Sequence, residues 1–357
     1  PWSLGQTRVQ HVWAGLGISG TGVTIAVMDT GADWQHPALV ESYRGRPDGE
    51  LAGDGPPTHE TSWFDAVEGS PEPFDPHGHG THVVGTASGR HGIGVAPGSQ
   101  WMAVRILEED GYGYTGDIHA GFQWLLAPGG DPSLAPDIVN GSWSTRPDLD
   151  VFLPDVDAIH AAGIITVFAA GNTGPEEGSV RAPANYPGVV AVGASDDIDA
   201  LAWFSSRGPS AWTNQTKPAL IAPGTRILSS LPGGRYGYLS GTSMASPHVA
   251  GIYALVLSAQ DQLDANQATA VLTSTARLPD NAQPDSNHGW GRVDAYSALM
   301  SAVDAASLRG HIYGAGLPLP GAAITVTTPE NVKLSFTSDA EGSFSAELLV
   351  NEYSVEV

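Results

Sequence analysis

VTIAVM at residues 23–28, closed by Asp29, Thr30 and Gly31, is the stretch from which the fold is read. An unbroken β-branched and apolar run offers no polar face to water, so it predicts a strand covered on both sides, as in a parallel sheet. Further strands are expected within 95–107, from 137 into NGSWST at 140–145, and at 164–168, where the chain ends in AAGN at 169–172. Helical patterns lie between them: the glycine-rich acidic loop EEDGYGYTGDI leads into an amphipathic helix through Leu126, and another is expected over 155–162. The order strand, helix, strand repeats at least five times to residue 230, which predicts an α/β fold with a right-handed, doubly wound parallel sheet and helices on both faces. In such open sheets functional groups gather beyond the carboxyl ends of strands, where Asp29 and Asn172 both fall. Each also fits an ordinary cap or turn residue.

At 357 residues the chain has room for one large domain and a small one. Residues 1–20 read as an amphipathic lead-in with Val9, Val12, Trp13 and Leu16 at helical spacing, and residues 44–78 as a long surface insertion anchored by Trp63 and Phe64. Near Leu308 the texture changes to short alternating runs (LRGHIYG, AAITVTT, KLSFTS, GSFSAEL, YSVEV), so a large domain over 1–305 and a small all-β module over 306–357 are expected. No apolar run reaches the ~18 residues of a membrane span, and Pro1 starts in foldable sequence, which suggests a mature form. The absence of cysteine excludes disulfide and thiol chemistry, and the net charge of −23 disfavours nucleic acid and anionic membranes as partners.

GTSMASPHVAG at 241–251 presents a serine at the start of a helix that is apolar on nearly every face, hence buried. Pro247 is tolerable there only near the first turn. HGHGTHVVGT at 77–86 offers either three imidazoles for a zinc ion or one catalytic imidazole at a small-residue helix start, and the glycine between His77 and His79 and the lack of any HExxH frame favour the second. Asp29, His79, Ser243 and Asn172 then supply what serine chemistry needs: a hydroxyl, an imidazole to take its proton, a carboxylate to orient that imidazole, and an amide to hold an oxyanion.

These blocks (DTGAD, HGHGTHVVGT, AAGN and GTSMASPHVAG, in the order Asp, His, Ser) resemble the subtilisin-like serine proteases over about residues 1–303. HPALVESYRG, TSWFDAVEG, WLLAPGG, PDIVNGSW and APANYPGVVAVGA are similar to the bacillopeptidase F branch of that family, and the C-terminal LPLPGAAITVTTPE and TSDAEGSFSAEL resemble a carboxypeptidase-regulatory-like β-sandwich. The resemblance implies a serine endopeptidase acting on unfolded or flexible polypeptide, with Ser243 as nucleophile, His79 as general base, Asp29 orienting it and Asn172 in the oxyanion hole. It implies an extended substrate held between Gly111, Tyr112, Gly113 and Tyr114 on one side and Ser142, Trp143 and Ser144 on the other, with Ala170 and Gly171 nearby. Trp143 and Ser144 replace a smaller pair, so a narrower cleft mouth is expected. Arg181 falls where the family usually has a glycine at the base of the primary specificity pocket: pointing inward it would favour an acidic or polar residue before the scissile bond, pointing outward it would leave an apolar preference.

No cofactor is required for this chemistry. The family's tight calcium site is expected to be absent, because Ala38 stands at its aspartate position and SGRHGIGVAP at 88–97 is too short for its loop; the weaker carbonyl site near Ala184 and Tyr186 is left open. Asp196, Asp197 and Asp199 read as a solvated turn. The resemblance further implies secretion, an own propeptide during maturation and a monomer. The competing readings are a catalytically silent binding scaffold and an ester hydrolase or acyl transferase, the latter weakened by the absence of GxSxG around Ser243. The β-module could bind substrate or wall polymers, or brace the larger domain.

Overall fold

The computed structural model describes residues 1–46, 57–278, 282–303, 305–314, 316–327, 333–349 and 354–357. Among them, seven strands form one parallel sheet: β1 (Thr24–Asp29), β2 (Trp63–Asp65), β3 (Gln100–Arg105), β4 (Ile138–Gly141), β5 (Ile165–Ala169), β6 (Val190–Ser195) and β7 (Leu220–Pro223). Their spatial order is β2-β3-β1-β4-β5-β6-β7. The order changes direction at β1, between β3 and β4, which opens a crevice above their carboxyl ends.

β1 is covered on both faces, as its sequence predicts. Ile25 and Val27 join one apolar cluster with α2 (Val9–Leu16), α3 (His79–Ser88), α6 (Thr242–Ala259), α7 (Ala265–Ser274) and α8 (Ala295–Ala302). Ala26 and Met28 join the other, with α4 (Thr115–Leu126) and α5 (Leu153–Ala161). Each fully buried aliphatic side chain contributes roughly 1.5–3 kcal/mol. The lead-in is two helices, α1 (Trp2–Gln6) and α2, broken where Arg8 takes a left-handed conformation at φ 56°.

Three expectations change. The strand–helix alternation stops at β5: α3, α4 and α5 cross between earlier strands, but residues 170–189 and 196–219 join β5 to β6 and β6 to β7 without a helix. Both links contain glycines and prolines, which break the i to i−4 ladder. The 44–78 insertion, of which 47–56 lie outside the described residues, is more than a surface loop, because Trp63 and Phe64 belong to β2 and extend the sheet beside β3. Pro247 sits inside α6, past its first turn, where its missing N–H leaves the Ser243 carbonyl without a helical donor. The Ser142 hydroxyl donates to that carbonyl instead, at 2.8 Å.

A hairpin of β8 (Ile227–Leu231) and β9 (Arg235–Leu239) leads into α6. Beyond α8 come β10 (Ala305–His311), β11 (Tyr313–Gly314), β12 (Leu317–Pro318), β13 (Ala323–Thr327), β14 (Lys333–Thr337), β15 (Ser343–Leu349) and β16 (Ser354–Glu356). They pair antiparallel as β10-β15, β11-β12 and β14-β13-β16, around a small apolar cluster centred on Ile324 and Val326. Residue 304, within the expected boundary, lies outside the described residues. β14 and β15 lie against α2.

Lys217 is 2% exposed and its ammonium donates to the Val189 carbonyl. Burial pushes its pKa down to about 7. The unfolded chain therefore binds a proton that the folded one releases between about pH 7 and the ordinary lysine range near 10.4, so this residue costs stability at low pH and the cost is relieved as pH rises. Lys217→Met is expected to raise the melting temperature at pH 6–8, with the gain shrinking towards pH 10.5. A gain independent of pH in thermal melts would refute this.

Candidate active site

Asp29 ends β1 fully buried, and its Oδ1 accepts from the Thr30 amide at 2.8 Å and from His79 Nδ1 at 2.7 Å. Donation from Nδ1 fixes the tautomer and leaves Nε2 free to accept a proton. The other carboxylate oxygen is buried without a partner among the described residues. His79 opens α3, and this helix start can lie against the end of β1 because Gly80 has no side chain: a methyl there would fall 2.1 Å from the Gly31 carbonyl oxygen. Its imidazole is about a fifth exposed. Burial alone lowers the His79 pKa, but the charge and hydrogen bond of Asp29, with the charge of Asp75, outweigh it and raise the value.

Asp75 was not singled out in the sequence, although it stands four residues before His79 in the quoted neighbourhood. Its Oδ1 accepts from Thr30 Oγ1 (2.9 Å) and the amides of His77 (3.1 Å) and Gly78 (2.7 Å); Oδ2 accepts from the Thr81 amide (2.8 Å) and hydroxyl (2.7 Å). One carboxylate thus ties the loop before α3 to the end of β1 and satisfies a first-turn donor. Asp75→Asn keeps the shape but supplies an N–H where acceptors are needed. A loss of about 1–3 kcal/mol is expected in denaturant unfolding, with a fall in the His79 pKa; unchanged stability would refute the role.

Ser243 is the second residue of α6. Its hydroxyl donates to the Ser142 carbonyl at 2.9 Å, and no hydrogen bond joins it to His79 in this structure. Ser142 lies just past β4, and a buried chain links the two elements: Ser246 Oγ donates to Asn140 Oδ1 (2.6 Å), Asn140 Nδ2 to Ser142 Oγ (3.0 Å), and Ser142 Oγ to the Ser243 carbonyl. Ser142→Ala is expected to cost about 1 kcal/mol and to lower activity several-fold without changing the fold; circular dichroism melts and peptide hydrolysis check both.

Asn172 follows β5. Its Oδ1 accepts from the Thr242 amide and hydroxyl, both at 2.9 Å, which turns the amide NH2 the other way. The Ser243 amide, in the first turn, has no intrahelical acceptor. A methyl built on Gly241 would lie 3.3 Å from Asn172 Nδ2 and 3.6 Å from the Ser243 nitrogen, so the two nitrogens lie close to one point.

A cleft of about 520 Å³ opens beside His79, while Asp29, Asn172 and Ser243 are not among the residues lining it. Gly111, Tyr112 and Gly113 line it on one side, Ser142, Trp143 and Ser144 on the other, with His79 and Arg181 in its wall. His77, unassigned in the sequence beyond its metal reading, also lines it. Tyr114, Ala170 and Gly171 do not: Tyr114 caps α4, the Ala170 carbonyl accepts from the Arg181 amide at 3.0 Å, and Gly171 lies under the Arg181 stem. Trp143 lines this cleft with its ring packed among aromatic neighbours. Its ring is 8% exposed, edge-on to Phe152 and Phe168 at 5.6 and 5.4 Å, because an indole gains more among aromatics than at a wet rim.

The remaining histidines of both motifs are structural. His82 Nε2 faces the carbonyls of Ile227 and Gly237, His248 Nδ1 that of Met244, and burial pushes both pKa values down to about 4. Ala38 is buried, its carbonyl accepts from the Arg90 amide at 2.8 Å, and the Arg90 guanidinium pairs with Glu41. Asp196 and Asp199 belong to a tight turn, Asp196 accepting from the amides of Ile198 and Ala200 and Asp199 pairing with Arg292. No group of three His, Cys, Asp or Glu among the described residues could hold a metal ion.

With this geometry agrees the sequence comparison: the chain belongs to the subtilase family, whose model matches residues 20–291. It is 43% identical over 326 residues to bacillopeptidase F of Bacillus subtilis (strain 168), covering 85% of this chain and 22% of that protein. It is 34% identical over 307 residues to subtilisin E of the same organism (84% and 71% covered) and 34% identical over 289 residues to a thermophilic serine proteinase of Bacillus sp. (strain AK1) (78% and 62%). The chain therefore spans only part of the length of the first and third of these relatives.

Proposed function

We propose that this chain is a serine endopeptidase that cleaves flexible polypeptide through an acyl-enzyme. Ser243 Oγ attacks the scissile carbonyl carbon as its proton passes to His79 Nε2, and Asp29 holds the imidazolium that results. The carbonyl oxygen becomes an oxyanion facing Asn172 Nδ2 and the Ser243 amide; His79 then protonates the leaving amine, and water hydrolyses the ester. The observation that carries the reading is the Asp29–His79 bond at 2.7 Å, which leaves His79 Nε2 able to accept a proton. A substrate N–H pairing with the Ser142 carbonyl competes with the Ser243 hydroxyl for that acceptor and releases it towards His79, which accounts for the resting hydrogen bond.

Labelling by a fluorophosphonate together with caseinolysis tests this reading. Hydrolysis without labelling assigns another nucleophile; neither result leaves a binding scaffold. Extracellular action, a propeptide during maturation and a monomeric state come from the family and belong to the same proposal. No helix among the described residues is long and apolar enough to cross a membrane. The strands after residue 305 form a second unit in this reading, and their place against α2 favours a bracing role. Calcium at the usual tight site is not required in this reading, because Ala38 has no side-chain ligand. Melting temperatures equal with and without a chelator are expected.

A further inference from the structure

Arg181 has its aliphatic stem over Gly171, within 2.9–3.0 Å of where a methyl there would lie, and its side chain forms part of the cleft wall. Among the described residues its guanidinium makes no ion pair and no side-chain hydrogen bond. Trp143 also lines the cleft: it is 8% exposed, and its indole N–H is buried without a hydrogen-bond partner among the described residues. An orphaned buried donor costs free energy that a ligand acceptor returns. No Asp or Glu is among the residues lining the cleft, and its other arginine, Arg146, is paired with Asp148.

Two unmatched donors, one charged and forked, in a cleft lined by no carboxylate define the complement of a side-chain carboxylate. We infer that Arg181 and Trp143 are specificity-determining residues that select substrates with an acidic residue, glutamate above aspartate for reach, immediately before the scissile bond. A carboxylate can take two parallel bonds from the guanidinium and offer its remaining lone pairs to the indole N–H. Glutamine meets the same donors without the charge, and leucine or phenylalanine leaves both unpaired. The overall negative charge repels acidic chains at long range, but screening in physiological salt confines that to about 8 Å, whereas the pairing acts at contact.

The inference rests on the endopeptidase reading, and the test separates the two. Blocked Ala-Ala-Pro-X anilides with X as Glu, Gln, Leu or Phe give kcat/KM for the intact chain. Glu is expected to exceed Leu and Phe by about tenfold or more, with Gln between. Arg181→Gln should reduce the Glu-to-Leu ratio about 10–100-fold, and Trp143→Phe should reduce the Glu-to-Leu and Gln-to-Leu ratios about 3–10-fold. A preference for Leu or Phe that Arg181→Gln leaves unchanged, in a protein that still labels with fluorophosphonate, overturns the specificity and spares the protease. Binding of blocked Glu and Leu peptide amides to Ser243→Ala, measured by calorimetry, reads the pocket without chemistry: tighter Glu binding that Arg181→Gln abolishes supports the inference even if hydrolysis fails, and equal binding overturns it.

Discussion

Ser243→Ala is expected to lower kcat on any cleaved peptide by about a millionfold, because the triad acts as a unit and the loss of its hydroxyl leaves His79 with no proton to take. The residual rate should stay roughly 10³–10⁴-fold above the uncatalysed one, since Asn172 and the Ser243 amide still face the oxyanion. Stability should change little. The hydroxyl's one bond, to the Ser142 carbonyl, is worth about 1 kcal/mol, and the Ser142–Ser243 carbonyl link uses only backbone of residue 243. Steady-state hydrolysis and fluorophosphonate labelling decide: a variant retaining a tenth of the activity excludes Ser243 as the nucleophile.

Asp29→Asn is expected to lower kcat by about 10⁴ with the fold intact. An asparagine in this buried place can present its NH2 to His79, which moves the ring proton to Nε2 and removes the lone pair that accepts from Ser243. The pH dependence carries an independent signature. Asp29 is the principal cause that raises the His79 pKa against burial, so its neutralisation lowers that pKa. Activity needs neutral His79, and the acid limb of kcat/KM moves to lower pH in whatever activity remains. Stability shows the same link from the other side. A raised folded pKa means that the His79–Asp29 pair stabilises fully below the unfolded value near 6.5 and that this contribution fades as pH rises through the folded value. The variant should therefore lose most stability in acid and least in alkali. An unshifted acid limb, or a stability loss that grows with pH, contradicts the assignment.

Much of this arrangement is legible along the chain. The apolar run at 23–28 demands cover on two faces, and Ile25, Val27 on one side and Ala26, Met28 on the other receive it. The four polar residues of the site stand at strand ends or helix starts that local periodicity and glycine punctuation mark. The misreadings have a common cause. The strand–helix count ran on past β5 because apolar strands there are real, while the links between them are decided by glycine and proline chemistry. Trp143 lines the cleft with Ser142 and Ser144, but that its ring packs edge-on against Phe152 and Phe168 is a contact no local pattern gives.

By itself the sequence determined the parallel sheet, the double burial of β1, and the presence of an acid, an imidazole, an amide and a hydroxyl at element ends, because these follow from interactions within a few residues of one another. Only the tertiary structure decided that Asp75 anchors the loop before His79, that the Ser243 hydroxyl rests on the Ser142 carbonyl, and that Arg181 and Trp143 line one cleft with their side-chain donors unpaired among the described residues. The Ser142 and Ser243 partners are 101 residues apart, and whether a donor is matched or orphaned depends on which distant groups the packed sheet brings within about 3 Å, a quantity that no local pattern contains.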